Sequence, residues 1–446
     1  MNESSNINRR NWMKVALASA AMSSLEVEGF SKQLQQLELG QTDDFWESVR
    51  QKFEVSPDAV NLVTSVRGVT TKVVREGLAS ETERLNVFQD LLDLLYSKEP
   101  RPPERSKATA RQTTAKFIGA LPEEVALLRN TTEGVTTVLM NWPLERGDEI
   151  LVSSAEHFPY YDTLAQRAAR DGIIIRKFHY PAPVNSHEDI LKAIDQAMTD
   201  KTRLVMIGHV VLTGQINAAR KIADLAHSRG AKLLVDGVLS VGHIETDVKT
   251  MDCDFFAAGF HKWGGGPRGT AVFYIRPDLV ENLPPLFGAY QEKDGFYQPL
   301  WNDDRMIKYE TFGAHPDAHY MLLAEALGFL DEIGISRIRK RLFQLTSRWV
   351  NRVSSLDRFR SAVRLHQDQC CGLVGWELDG IDSKKIWPIL REHYVLVGST
   401  DTYSGFFGIP KNEPRRLFIA NAGIFTSESD VDRLADAIED AHRRLG

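Results

Sequence analysis

Three cysteines among 446 residues, two of them adjacent (Cys370 and Cys371), are too few and too poorly spaced for a disulfide framework or a zinc-ligand pattern. No stretch approaches the roughly 18 apolar residues of a membrane-spanning helix, so no membrane span is expected. Excess positive charge is missing as well: 54 Lys and Arg stand against 60 Asp and Glu, a net charge of −6. That balance leaves no basic footprint for nucleic acid. Internal repeats and low-complexity segments are absent, and no metal site is expected. What remains is a chain that is 43% hydrophobic, long enough to bury a large core and to divide into one large and one small unit. It reads as a soluble enzyme acting on a small molecule.

The informative stretch runs from Lys232 to Gly269. Leu233, Leu234 and Val235 form a buried-type strand ending in Asp236, and Phe255 to Ala258 form a second apolar run that delivers His261 and Lys262. In an open parallel sheet the carboxyl ends of the strands face the ligand crevice, so an acid and an amine arriving there together suggest a cofactor site. An aspartate in that place can keep a pyridinium nitrogen protonated, and a lysine can form a Schiff base with an aldehyde. This pair is the pyridoxal 5′-phosphate arrangement.

The rest of the chain supplies a frame for it. Amphipathic helices are expected at Asp43 to Phe53 and Thr70 to Leu95, and a helix from about Ser106 to Ile118 leads to a strand at Glu124 to Arg129. There the turn Asn130-Thr131-Thr132-Glu133-Gly134 passes from strand to helix, so its amides point outward at a positive helix end and suit a phosphate. Strands at Glu149 to Ser153, Ile173 to Phe178 and Arg203 to Gly208 alternate with helices at Glu188 to Met198 and Ala218 to Ser228. The alternation argues a mostly parallel sheet. Leu283 to Asp304 reads as a long loop. Helices from His315 to Ile333 and from Ile335 to Leu356 then lead into a smaller α+β unit, with strands near Cys371 to Leu378 and Leu417 to Ala420 and a last helix at Glu428 to Arg444.

Asp236, followed by His261-Lys262-Trp263, Gly266-Pro267 and Gly269 in register, resembles the class V aminotransferases, and most of all the isopenicillin N epimerase-like proteins. The resemblance implies a fold type I pyridoxal-phosphate enzyme: an α/β large domain with a mostly parallel, seven-stranded-type sheet over residues 26–310, and a small C-terminal α+β domain over 311–446. It implies cofactor contacts at Thr131, Thr132, Glu133, His157, Asp236, His261 and Lys262, with His157 laid over the ring and catalysis resting on Lys262, Asp236 and His157. It also implies a homodimer with composite sites, the Leu283 to Asp304 loop lying close to the partner. Residues 1–25, with Arg9-Arg10 before a short apolar run, resemble a degenerate twin-arginine leader; a cytoplasmic location is expected, with periplasmic export the alternative.

Several polar residues of the family pattern are replaced. Leu239 and Val211 stand where partners of the ring hydroxyl are usual, Gly259 where a serine precedes the histidine, Ala314 where a threonine reaches the other subunit, and Thr64 to Arg67 where Asn and Gly line the mouth. Ile419 falls where an arginine clamps the substrate's α-carboxylate, so Arg67, Arg415 and Arg416 become the candidate substrate residues. The loop Val397 to Ser404 carries no cysteine, which weakens a cysteine desulfurase reading. Epimerase, lyase or decarboxylase, and aminotransferase chemistry on an amine or amino-acid-derived substrate stay open, as does a degenerate member that binds without turnover.

Overall fold

The computed structural model describes residues 43–86, 106–180, 184–293, 296–310, 313, 315–402 and 415–446; residues 1–25 and Ala314 lie outside them. Fourteen strands are assigned among these residues. The first, β1 (Val60–Leu62), belongs to the second sheet. The main sheet takes the next seven: β2 (Val125–Leu128), β3 (Glu149–Ser153), β4 (Ile174–Phe178), β5 (Thr202–Gly208), β6 (Lys232–Asp236), β7 (Phe255–Gly259) and β8 (Ala271–Ile275), in the order β2-β8-β7-β6-β5-β3-β4. All its neighbouring pairs are parallel except those made by β8, which runs against both β2 and β7.

Burial on both faces explains why the central strands read as unbroken apolar runs. Every residue of β2, β3, β7 and β8 is buried, and each fully buried Val, Leu or Phe there is worth about 1.5–3 kcal/mol over an exposed one. Strand order reverses at β3, whose neighbours are β4 and β5. Crevices beyond the carboxyl ends of strands open at such reversals, and Asp236, Lys262 and the segment after Ser153 all lie on that side.

Between the sheets, β9 (Tyr290–Lys293) and β10 (Phe296–Pro299) pair antiparallel. The expected loop at Leu283 to Asp304 is thus in part a hairpin, exposing Tyr290, Phe296, Tyr297 and Trp301. The second sheet adds β11 (Phe359–Ser361), β12 (Leu373–Leu378), β13 (Val395–Thr402) and β14 (Arg415–Asn421), in the order β1-β13-β14-β12-β11. The expected loop at Val397 to Ser404 is corrected too: through Thr402 it is strand, Val397 pairing with β1 and Gly398 to Thr402 with β14.

The N-terminal segment also differs from its expected place in the large unit. Phe45, Trp46 and Val49 of the Asp43–Arg50 helix, with Val60 and Leu62 of β1, share one core with Trp376, Phe418 and Ile438 of the C-terminal unit. Arg50 fixes the contact with an ion pair of 2.6 Å to Asp430.

Candidate active site

Lys262 follows β7 and is crossed by the segment after β1. The Gly68 amide donates to the His261 carbonyl at 2.9 Å, and a Cβ on Gly68 would lie 1.9 Å from the Lys262 carbonyl oxygen. Only glycine allows that approach. On its other side the same segment is tied to β14, where Asn421 Oδ1 accepts from the Ser65 amide at 2.6 Å and Asn421 Nδ2 donates to the Ser65 hydroxyl at 3.0 Å. Trp263 ties the loop to the C-terminal unit by donating to the Ala422 carbonyl at 2.8 Å, and its ring stacks on His243 at 4.0 Å.

Asp236 ends β6 and is buried. One carboxylate oxygen accepts from the Val238 amide at 2.9 Å and the other from the Tyr160 hydroxyl at 2.8 Å. Carboxylate oxygens can accept more than one hydrogen bond, so capacity remains for a ring N–H. Burial pushes the Asp236 carboxyl up, while the Val238 amide, Tyr160, Lys262 and His157 hold it back. Burial pulls the Lys262 amine down to about 8 against the attraction of Asp236, so about a tenth of it is neutral and nucleophilic at pH 7, far more than for an ordinary lysine. His157 precedes the Phe158–Asp171 helix at an exposed position, its ring 5.5 Å from that of Tyr160. Its imidazole is held down, by burial first, with Asp236 and Lys262 acting on it in opposite senses. Acid, amine and imidazole thus sense one another's charge in one crevice.

The opposite end of the crevice suits an anion. Asn130 caps the Thr131–Asn141 helix by accepting from the Glu133 amide at 2.9 Å, leaving the amides of Thr131 and Thr132 without intrahelical partners. The Thr131 hydroxyl accepts from the Gly259 amide at 2.8 Å. A Cβ on Gly259 would meet His261 Nδ1 at 3.0 Å and the Thr131 hydroxyl at 3.2 Å, so a side chain here would crowd both. Burial takes the His261 imidazole down to about 4, so it meets an anion as a neutral donor. Glu133 departs from the expected cofactor contact: its amide is taken by the cap, and its carboxylate turns back to the Arg129 amide at 3.0 Å and guanidinium at 3.3 Å.

The expected substrate arginines are not gathered. Arg67 is exposed in the segment beside Lys262. Arg416 lies on β14 an odd number of residues from Ile419 and shares its face with Phe418, which packs on Trp376 and Trp387. That face is opposite Ile419, which corrects the assignment. The side chain of Arg415 lies outside the described residues. Ile419 is 1% exposed, in register with Gly375 of β12 and Gly398 of β13. A Cβ on Gly375 would meet Ile419 at 3.4 Å and Thr213, in the loop after β5, at 3.5 Å, and a Cβ on Gly398 would meet Ile419 at 3.6 Å and Val66, beside Arg67, at 4.0 Å. Leu239 and Val211 are buried and apolar.

Two residues escaped the sequence reading. Tyr160 donates its hydroxyl to Asp236. Glu156, four residues earlier and before the helix begins, is also buried. Their only signal was proximity to His157.

An acid at a strand end, a depressed lysine in the segment after the next strand and a capped helix end offering amides fit pyridoxal 5′-phosphate, with Asp236 toward the ring nitrogen, Lys262 toward the aldehyde and Thr131, Thr132 and His261 toward the phosphate. The fold and this donor set define a fold type I pyridoxal-phosphate enzyme. The comparisons give the family: the sequence model of the aminotransferase class-V family matches residues 104–408, and the chain belongs to that family. It is 27% identical over 404 residues to the isopenicillin N epimerase of Streptomyces clavuligerus, covering 88% of this chain and 98% of that one. To a probable cysteine desulfurase of Halalkalibacterium halodurans it is 31% identical over 353 residues, 76% and 82% of the two chains. Among solved structures, apo cysteine desulfurase from Thermococcus onnurineus NA1 superposes with a TM-score of 0.76 at 21% identity, covering 90% of this chain and 98% of that one. Among the described residues no helix is long and apolar enough to cross a membrane.

Proposed function

We propose that this enzyme acts at the α-carbon of an amine, or of an amino-acid derivative whose carboxylate is masked or expelled. Pyridoxal 5′-phosphate supplies the electron sink for that chemistry when bound. In this reading Lys262 carries the cofactor and, once substrate has displaced it, moves a proton at the α-carbon. Asp236 holds the proton on the ring nitrogen, with Tyr160 and the Val238 amide keeping its carboxylate oriented, and His157 covers the ring as a neutral imidazole. Thr131, Thr132 and His261 bind the phosphate.

The observation that carries the substrate class is Ile419. An α-carboxylate placed against a buried isoleucine flanked by Gly375 and Gly398 would have its charge desolvated without a cation, a cost of several kcal/mol. Arg67 is the described cation best placed to answer a carboxylate at the mouth. The desulfurase reading is disfavoured because Cys253, Cys370 and Cys371 are all buried, and burial holds their thiols up, Cys370 at about 11. Epimerase and lyase chemistry, decarboxylation included, use the residues described; decarboxylation suits an apolar wall where the carboxylate leaves.

The same reading includes a homodimer. Phe296 and Tyr297 are each 74% exposed on the hairpin and Trp301 beyond it 61%, an apolar patch of the kind that a second copy covers. A spectroscopic screen tests the substrate class: amines or esters should perturb the visible absorbance of the cofactor-loaded protein, while the matching free acids leave it unchanged. Micromolar binding of simple amino acids that persists after Arg67→Ala would overturn it.

A further inference from the structure

A second carboxyl lies behind Asp236. Glu156 follows β3 and is 4% exposed. Its Oε1 accepts from the Ser153 hydroxyl at 2.5 Å and from the Gly208 amide at 3.1 Å. Gly208 is the residue of β5 in register with Asp236 of β6, so Glu156 is hydrogen-bonded to Asp236's direct strand neighbour. Tyr160, four residues after Glu156, closes the other route by donating to Asp236, and its hydroxyl feels both carboxyls. Two acids therefore share one dry corner of the sheet at the point where strand order reverses.

We propose that Glu156 is a positioning residue for the ring-nitrogen site: a carboxylic acid kept neutral behind Asp236, which leaves Asp236 as the corner's single negative charge, committed to the cofactor ring. The proposal rests on reading Asp236 as the ring-nitrogen partner.

The surroundings of Glu156 give its charge nothing to pair with. The Phe158–Asp171 helix presents Tyr160 and Tyr161, the latter donating to the Ser153 carbonyl and accepting from the Glu156 amide. Tyr180, after β4, is a neutral phenol whose hydroxyl accepts from the Asn217 side chain at 2.7 Å. From beyond β5 comes His209, which burial keeps neutral down to about 4, and from β6 comes Asp236. The charged group of β4 on this side, Lys177, sits over the far ring of Tyr161 at 4.4 Å and is exposed. A buried carboxyl without a cation takes up a proton. Burial and the Asp236 charge together raise Glu156 to about 8, against the pull of Ser153 and Gly208. Two carboxyls that sense each other do not both ionise readily. Were Glu156 the ionised member, Asp236 would be the one forced toward neutrality and the ring nitrogen would lose its partner.

The test uses full-length apoprotein, so that it does not depend on turnover or on cofactor binding. Between about pH 5 and 8 the folded state holds a proton on Glu156 that the unfolded state releases, so the wild type loses stability as pH rises. Glu156→Gln removes that loss. The ratio of the two unfolding constants should therefore move in favour of the variant by close to tenfold per pH unit across this window and level off above about 8; a ratio flat from pH 5 upward overturns the proposal. If the variant does not fold, infrared spectra of wild-type protein carrying 13C-labelled glutamate decide it: a protonated glutamic carboxyl band present at pH 7 and lost above about 8 supports it, and no such band refutes it. In Asp236→Asn that midpoint should fall, and an unchanged midpoint would show that the two acids do not interact. Failure of the Asp236 assignment would instead appear in cofactor binding by Asp236→Asn, with the Glu156 titration intact.

Discussion

Replacing Lys262 with methionine should make the apoprotein more stable while destroying its capacity to bind the cofactor covalently. An ordinary lysine keeps its proton to 10.5 and this one only to about 8. Each tenfold change in proton affinity is about 1.4 kcal/mol, so holding the charged amine in the crevice costs the folded apoprotein roughly 3 kcal/mol at neutral pH. Methionine fills similar volume without that charge. Part of the gain is returned, because Asp236 loses a favourable neighbour, and a net stabilisation of roughly 1–3 kcal/mol is expected. The pH dependence separates this cause from better packing. Between about 8 and 10.5 the unfolded chain binds the lysine proton and the folded chain does not, so wild-type stability rises with pH through that window. The advantage of the variant should be full below about pH 8 and fade toward pH 10.5. Urea unfolding at a series of pH values measures it. No gain at pH 7, or a gain unchanged above pH 10, would refute the electrostatic reading of the site.

Asp236→Asn removes a charge-assisted hydrogen bond worth about 1.5–3 kcal/mol; titration of the apoprotein with pyridoxal phosphate should show binding weakened roughly 10- to 150-fold with little change in thermal midpoint. Ile419→Arg, placed between two glycines that leave it room, should let free α-amino acids perturb the cofactor spectrum where the wild type resists them; no response in a folded, cofactor-loaded variant would remove Ile419 as the determinant. Light scattering should give twice the chain mass, shifting toward monomer when Phe296 and Trp301 are both replaced by serine, and a fully active wild-type monomer would exclude composite sites.

Much of this site could be read in the chain because its parts close continuous apolar runs. Leu233 to Val235 and Phe255 to Ala258 can only be buried strands, and the polar residues that end them must emerge at the crevice. The helix at Thr131 was legible from the strand-to-helix turn at Asn130 to Gly134, although that turn did not mark Asn130 as its cap. Contacts made at a distance were not. Nothing local in Tyr160 or Glu156 says that one reaches Asp236 and the other Gly208. The stretch Gly398-Ser399-Thr400-Asp401-Thr402 reads as a loop because it is small and polar, yet it is held as strand by pairing along β14, while β1 pairs only with the residues just before it, Val395 to Val397. Residues 290–293 and 296–299 were obscured in the same way: exposed aromatics give no period, and the two strands rest on their mutual pairing alone. The arginine pair at 415–416 looked available by proximity to Ile419, and strand alternation puts Arg416 on the other face.

The central claim is that Lys262 is the residue carrying pyridoxal phosphate, and trapping tests it most directly. Cofactor-loaded protein is reduced with borohydride, digested and mapped by mass spectrometry. The account predicts a pyridoxyl group on Lys262, in the peptide containing His261 and Trp263, and its loss in Lys262→Met. A pyridoxyl group on any other lysine, or none on a protein that retains bound cofactor, would contradict it.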